Sequence, residues 1–381
     1  MHFHRTRGFT PLLVSLLGLL AGCAGDGPTA ASQLDNDGLP APRLPATLFS
    51  YRDAANLLPA HFTVTGPDGS VASADNTSGT NPVTDAGATL GRVLFYDVRL
   101  SLNNTVSCAS CHLQSAGFGD TARFSRGLHG GTTARHSMAL ANARFYARGR
   151  FFWDERAATL EQQVLLPIPD PLEMGLSLDS LERKLAATRS YGPLFQSAFG
   201  SAAVTRDRIA RALAQFVRSL NSTRSKYDTA FRGIETPNFP AFLTPQELEG
   251  EQLFRGAGRC VLCHGTNAQI VTQPRNIGLE IVPADTGAGS GRFKAPSLRN
   301  VAVRGRFMHD GRFSSLRQVV DYYSDSVRDT PGLDPLLRNL GGLPQRLNLS
   351  PAQRDALVAY LQTLTDQAFL TDVRFADPFR R

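Results

Sequence analysis

Two short segments of the 381-residue chain carry residue types at spacings that few cofactors require. Cys108-Ala109-Ser110-Cys111-His112 sets two thiols three residues apart with an imidazole directly after them, and Cys260-Val261-Leu262-Cys263-His264 repeats the arrangement. One turn of helix brings such thiols to one side, where they can form thioether bonds to the two vinyl groups of a porphyrin. The adjacent histidine then lies under the iron as its proximal ligand. A structural zinc site would need a second ligand pair nearby, whereas these pairs stand far apart and each ends in the same histidine. A thioredoxin-like dithiol comes once, beside a βαβ pattern that this sequence lacks. The motifs therefore point to two covalent haems, attached through Cys108, Cys111, Cys260 and Cys263 and ligated by His112 and His264.

A longer repeat follows each motif. Residues 149–164 align without gaps on residues 305–320, with eight of sixteen positions identical, and Leu140-Ala141-Asn142 matches Leu298-Arg299-Asn300 upstream. Each half thus runs from a haem motif through a loop into a common segment, which implies two related cytochrome c-like domains. The halves differ at one chemically telling place. Leu316, Val319, Val320 and Tyr323 keep helical spacing, so Tyr323 shares the buried face, while the same register in the first half ends on Pro167. Tyrosine can ligate ferric iron and proline cannot, so a helix lying over each haem would close the second and leave the first open. A core tyrosine with a hydrogen-bonded hydroxyl gives the same pattern.

The elements that must position these residues are mostly helical. Apolar periodicity predicts helices over Ala86–Phe95, Thr159–Leu165, Leu178–Ala187, Arg206–Leu220, Thr244–Arg255, Leu316–Tyr323 and Ser350–Leu364, with few strand signals, so the fold class is all-α. Thr244-Pro245 and Ser350-Pro351 are strong helix starts. Before them, Arg5 and Arg7 precede an apolar run ending in Leu20-Ala21-Gly22-Cys23, the layout of a bacterial lipoprotein signal over residues 1–22 with Cys23 as the acylated residue. A secretory signal with an incidental cysteine reads the same way. Ala24 in place of aspartate favours an outer-membrane anchor facing the periplasm, and export suits covalent haem. Residues 23–85 read as tether and irregular segment, flexible to about Ala46 and again Gly, Ser and Asp-rich over Thr65–Ala86. The domains then span 86–235 and 236–381, joined near Gly233–Pro240. Net charge is +7, yet only Lys184, Lys226 and Lys294 are lysines and the arginines are scattered, which excludes a nucleic-acid stripe.

The order Cys-x-x-Cys-His, Phe152-Trp153-Asp154-Glu155-Arg156-Ala157-Ala158, Gln163, Pro167, Glu173-Met174, a second Cys-x-x-Cys-His, then Met308-His309-Asp310-Gly311-Arg312-Phe313 resembles the bacterial di-haem cytochrome c peroxidases, including the MauG-like branch. The resemblance implies that the first haem reacts with hydrogen peroxide in a pocket lined by Gln163, Pro167 and Glu173. It implies that the second haem accepts electrons and that Trp153 lies between the two. Taken alone, Trp153 would be core packing and Glu173 a solvated acid. Glu173 would move the proton that O–O cleavage requires, and Gln163 would orient peroxide. Tyr323 stands where classical members carry a methionine ligand, as in the MauG-like proteins, with Met308 and His309 as competing ligands. His129 lies one residue from a histidine that caps the first haem in many classical members. His136 replaces a calcium-associated asparagine, which speaks against a bound calcium. The implied activity is peroxide reduction with electrons from a small periplasmic donor, a cytochrome c or a cupredoxin. The alternatives are a hydroperoxide-driven oxidase of a protein or small molecule and a non-enzymatic electron-transfer cytochrome.

Overall fold

The computed structural model describes residues 1–2, 34–51, 58–65, 69–232 and 236–379. Four helices frame the first motif: α1 (Asp85–Tyr96), α2 (Leu178–Ala187), α3 (Tyr191–Phe199) and α4 (Arg206–Ser219). Three frame the second: α5 (Pro245–Arg255), α6 (Leu316–Asp321) and α7 (Pro351–Gln362). The sequence caps them locally. Thr84 and Thr205 accept hydrogen bonds from the amides of Gly87 and Arg208, while Thr244 and Ser350 form reciprocal boxes with Glu247 and Gln353 ahead of a proline. Each cap satisfies amides that the first turn leaves without partners, worth about 1 kcal/mol apiece. Among the described residues there are only isolated β-bridges, as the all-α reading expects.

The same helix crossing closes both halves. A Cβ added to Gly91 of α1 would lie 2.0 Å from the carbonyl oxygen of Ala212 in α4, and one added to Gly250 of α5 would lie 1.9 Å from that of Ala356 in α7. Glycine lets each helix pair approach backbone to backbone, a gain set against a propensity cost of about 1 kcal/mol relative to alanine. The sequence repeat is also a backbone repeat. Phe151 bridges to Ala157 as Phe307 does to Phe313, and the aligned residues between them, Phe152 and Met308, both take positive φ, 67° and 71°. Asn142 and Asn300 match in the same way at 60°.

Several expectations need correction. Residues 34–46 do not trail as a flexible tether: Asn36 and Asp35 bond to Ala187 and Ser190 around the end of α2, and buried Arg99 holds Asp37 at 2.6 Å. Buried charge with matched donors fixes this segment where composition suggested none. The stretch Thr65–Ala86 is likewise ordered over its described part, with Val71 and Asn81 buried. Helix α3 was hidden by Gly192 and Pro193, which its first turn tolerates because amides there have no intrahelical partner. Ahead of the expected boundary at 235, Tyr227 and Phe231 already pack in the second core with Phe239 and Phe254. The C-terminal segment returns to the first half, where Phe369 meets Phe118 at 5.6 Å between ring centroids and Phe375 joins the same cluster. In the other direction, His61, in the short helix Ala60–Thr63, lies 2.8 Å from Asp228, itself clamped by buried Arg299. Beyond residues 1–2, the segment assigned to a lipoprotein signal lies outside the described residues, as do Cys23 and Gly233 of the expected linker.

Candidate functional site: two histidine-bearing cavities

Each Cys-x-x-Cys-His stretch forms one tight turn, Cys108–Ser110 and Cys260–Leu262, which brings the following histidine back over the first cysteine. The amide of His112 donates to the Cys108 carbonyl at 3.0 Å and that of His264 to the Cys260 carbonyl at 2.9 Å. The rings are fixed alike: Nδ1 lies 3.0 Å from the Phe118 carbonyl oxygen in His112 and 3.4 Å from that of Gln269 in His264. A carbonyl can only accept, so Nδ1 carries the proton and Nε2 keeps a lone pair for a metal. Burial holds both imidazoles neutral, lowering His112 and bringing His264 down to about 4. Burial also pushes the thiols of Cys108 and Cys260 up to about 12 and Cys111 to about 11. Burial thus disfavours the thiolates that zinc needs, and no group of three metal-ligating side chains forms among the described residues.

Both motifs open onto cavities. Cys260, Cys263 and His264 line a largely apolar space of about 230 Å³, and Cys108, Cys111 and His112 line one of about 70 Å³. Paired thiols, an imidazole with a free Nε2 and apolar walls fit a covalently held haem at each place. The repeat sets the walls in register: Leu316, Val319, Val320 and Tyr323 face the second cavity, while Gln163, Val164 and Pro167 face the first. α6 ends at Asp321 rather than running to Tyr323, which sits in a wide π turn, Tyr322–Ser326. Such turns re-aim one side chain at the cost of regular bonding. Tyr322 donates its hydroxyl to the Ile277 carbonyl at 2.7 Å, whereas the Tyr323 hydroxyl has no hydrogen-bond partner among the described residues. Burial drives the Tyr323 phenol well above its ordinary range, so it stays protonated unless a cation takes it.

Glu173 lines the first cavity beside Gln163 and Pro167. Burial raises its carboxyl above the usual carboxylate range, with Asp170 adding to the effect and Arg156 opposing it. Trp153 lines the second cavity and donates its indole N–H to the His136 carbonyl at 2.7 Å. His136 in turn donates its amide to the His309 carbonyl at 2.8 Å, and the adjoining Ser137 faces the first cavity. Trp153 is therefore fixed on the partition between the two spaces. His309 stacks on Phe293 with ring centroids 3.6 Å apart, and Met308 also lines the second cavity. His129 is exposed in the turn after Gly127 and does not line the first cavity, so the chain here does not bring that candidate to the site. The His136 ring is occupied with the carbonyl oxygens of Ala122 and Arg123, at 3.1 and 3.3 Å. Sequence reasoning missed two buried cations of the second cavity, Lys294 and Arg304. Lys294 stands out only as one of three lysines, and Arg304 among scattered arginines gives no signal at all.

The family model for di-haem cytochrome c peroxidase matches residues 85–236, and that for cytochrome c matches residues 247–365. The methylamine utilization protein MauG of Methylorubrum extorquens is 33% identical over 294 residues, covering 74% of this chain and 79% of its own. The cytochrome c551 peroxidase of Nitrosomonas europaea is 32% identical over 298 residues, covering 73% and 79%. Among solved structures, a MauG-like protein associated with microbial copper homeostasis superposes with a TM-score of 0.70 at 32% identity, over 80% of this chain and 97% of that one. The di-haem peroxidase BthA of Burkholderia thailandensis gives 0.64 at 26% identity, over 81% and 93%. With paired haem-attachment turns, a repeated helix crossing and an asymmetric pair of cavities, the chain belongs to the bacterial di-haem cytochrome c peroxidase family, in its MauG-like branch, and carries two haem c groups.

Proposed function

We propose that the protein reduces hydrogen peroxide to water in the first cavity, with electrons entering from a small periplasmic donor, a cytochrome c or cupredoxin, through the second. The observation that carries this reading is the difference between the cavities: the first has Pro167 where the second has Tyr323, and it holds Glu173 and Gln163. When bound, the haems supply the iron that takes the peroxide oxygen and the redox couples that pass electrons. The chain's own groups manage protons and position. Neither the Glu173 carboxyl nor the Gln163 amide is committed to a hydrogen bond among the described residues, so both are free for substrate. Raised by burial, the Glu173 carboxyl can take a proton from one peroxide oxygen and return it to the other near neutral pH. Gln163 can donate to the oxygen that gains charge. Pro167 has no donor atom and leaves room for peroxide. The hydrogen bond from Trp153 to His136 holds the indole on the partition, where it can relay charge.

Glu173→Gln should lower peroxide turnover by about 10²- to 10⁴-fold with both haems still attached. The pH–rate profile of the parent should carry an ionisation above the ordinary carboxylate range, because burial raises Glu173, and that limb should vanish in the variant. An unchanged rate with an unchanged profile would remove Glu173 from the mechanism.

A hydroperoxide-dependent oxidase of a protein or small molecule is the second reading. Tyr323 on the second cavity favours it, since an anionic ligand makes that haem a poorer acceptor of donor electrons. We also infer, on sequence alone, a lipoprotein signal over residues 1–22 and a Cys23 lipid anchor at the periplasmic face of the outer membrane. No helix among the described residues is long and apolar enough to cross a membrane. Cys23→Ser should move the protein from the membrane fraction to the soluble periplasm, because the lipid chains are lost with the thiol. Parent protein already found soluble would end the anchor reading.

A further inference from the structure

Among the described residues Arg304 is a cation without a counter-ion. It caps the C-terminal end of the short 3-10 turn Val301–Val303, lines the second cavity and is 9% exposed. Its Nη2 donates to the backbone carbonyl oxygens of Ser297 and Arg299, both at 2.6 Å, while its buried Nε has no hydrogen-bond partner. No carboxylate pairs with it among the described residues. Burial alone pulls the guanidinium down to about 10, a large displacement for the group most resistant to losing its proton. The contrast within the same wall is sharp. Arg275 also lines the cavity and is held by Asp334 at 2.7 Å. Arg299, fully buried nearby, is clamped by Asp228. Arg306, half-buried two residues beyond Arg304, lines the cavity and likewise has no ion pair among the described residues.

An isolated buried charge is so costly that proteins pair it, neutralise it or do without it. Arginine does not neutralise, and no carboxylate among the described residues pairs with it, so the missing partner comes from what fills the cavity. The haem held by Cys260 and Cys263 brings two carboxylates on flexible propionate arms and is the anionic group that this site is built to receive. We propose that Arg304 is the buried counter-cation of a propionate of the second haem and, through that charge, raises the redox potential of this haem. The inference rests on the two-haem reading. Its physical content is that a fixed positive charge beside the haem favours the reduced iron, which carries one positive charge fewer, and so opposes the effect of an anionic Tyr323 ligand. Arg304 also shares the wall of the second cavity with His136, whose carbonyl oxygen holds the indole of Trp153. Arg304 is thus a positioning and tuning residue for electron entry rather than a group that touches peroxide.

The test is the midpoint potential of each haem in the di-haem protein, read separately by spectroelectrochemistry, in the parent and in Arg304→Gln and Arg304→Lys. Arg304→Gln should lower the potential of the second haem and leave that of the first unmoved. It should also make the second potential vary with pH around neutrality, as a propionate released from its cation begins to titrate. Arg304→Lys, which keeps the charge but not the fork, should stay close to the parent. A fully loaded Arg304→Gln protein with parental potential and parental pH dependence overturns the proposal. Should the glutamine variant fail to retain the second haem, the lysine variant decides: full loading with near-parental potential supports the charge pairing, and loss of loading with lysine as well overturns it. A parent chain with fewer than two covalent haems by mass would instead refute the reading on which the proposal stands.

Discussion

His112→Ala should abolish the reaction with hydrogen peroxide, whereas His264→Ala should leave peroxide binding intact and chiefly impair electron entry. The two rings are held by the same local geometry, each with its Nδ1 spent on a backbone carbonyl, so the substitutions remove equivalent ligands from inequivalent cavities. Only the first cavity offers Glu173 and Gln163 to a second ligand. Both variants keep their cysteine pairs, so covalent haem content by mass should remain two, and the loss is one of ligation rather than of cofactor. Rapid mixing with peroxide, followed at the absorption band of each haem, separates the outcomes. Equal loss of peroxide binding in the two variants would refute the division of roles.

The second large effect is expected at Tyr323. If it ligates the second haem, the oxidised protein shows one low-spin and one high-spin signal in electron paramagnetic resonance, and Tyr323→Phe perturbs only the low-spin one. Tyr323→Met should raise the potential of the second haem, because a neutral thioether favours Fe(II) more than a phenolate does. That rise should push the protein toward donor-driven peroxide turnover and away from the oxidase reading. Met308 and His309 line the same cavity, but His309 is stacked flat on Phe293 and Met308 lies in a strained turn that its repeat partner Phe152 shares. An unperturbed spectrum in Tyr323→Phe would transfer the ligand role to one of them and bring the protein nearer the classical peroxidases.

The attachment motifs, the repeat and the placing of Tyr323 against Pro167 were legible because each is local or periodic: a three-residue spacing, a common register, one helical face. The long helices were legible for the same reason, two of them down to their caps at Thr244 and Ser350. What escaped depends on contacts distant in sequence. Asp37 reads as loop until Arg99 is seen against it, and Phe369 reads as the end of a second domain until it is seen against Phe118. The bend that carries Tyr323 into a π turn leaves no trace in apolar spacing, since the residue faces the cavity in either geometry. Arg304 has backbone carbonyls but no carboxylate beside it among the described residues, and only packing reveals such an absence.

The return of the segment around Phe369 makes the first centre depend on residues that follow the second half in sequence. Phe118, whose carbonyl fixes the His112 ring, is packed by Phe369, and Gln114 in the same loop donates to the Asp372 carbonyl at 2.9 Å. These partners lie in sequence beyond Leu364, the last residue of the second core, so the first haem-binding half borrows one wall from chain that has already passed through the other half. Phe369→Ala should therefore loosen the wall beside His112 while leaving the second core its own residues.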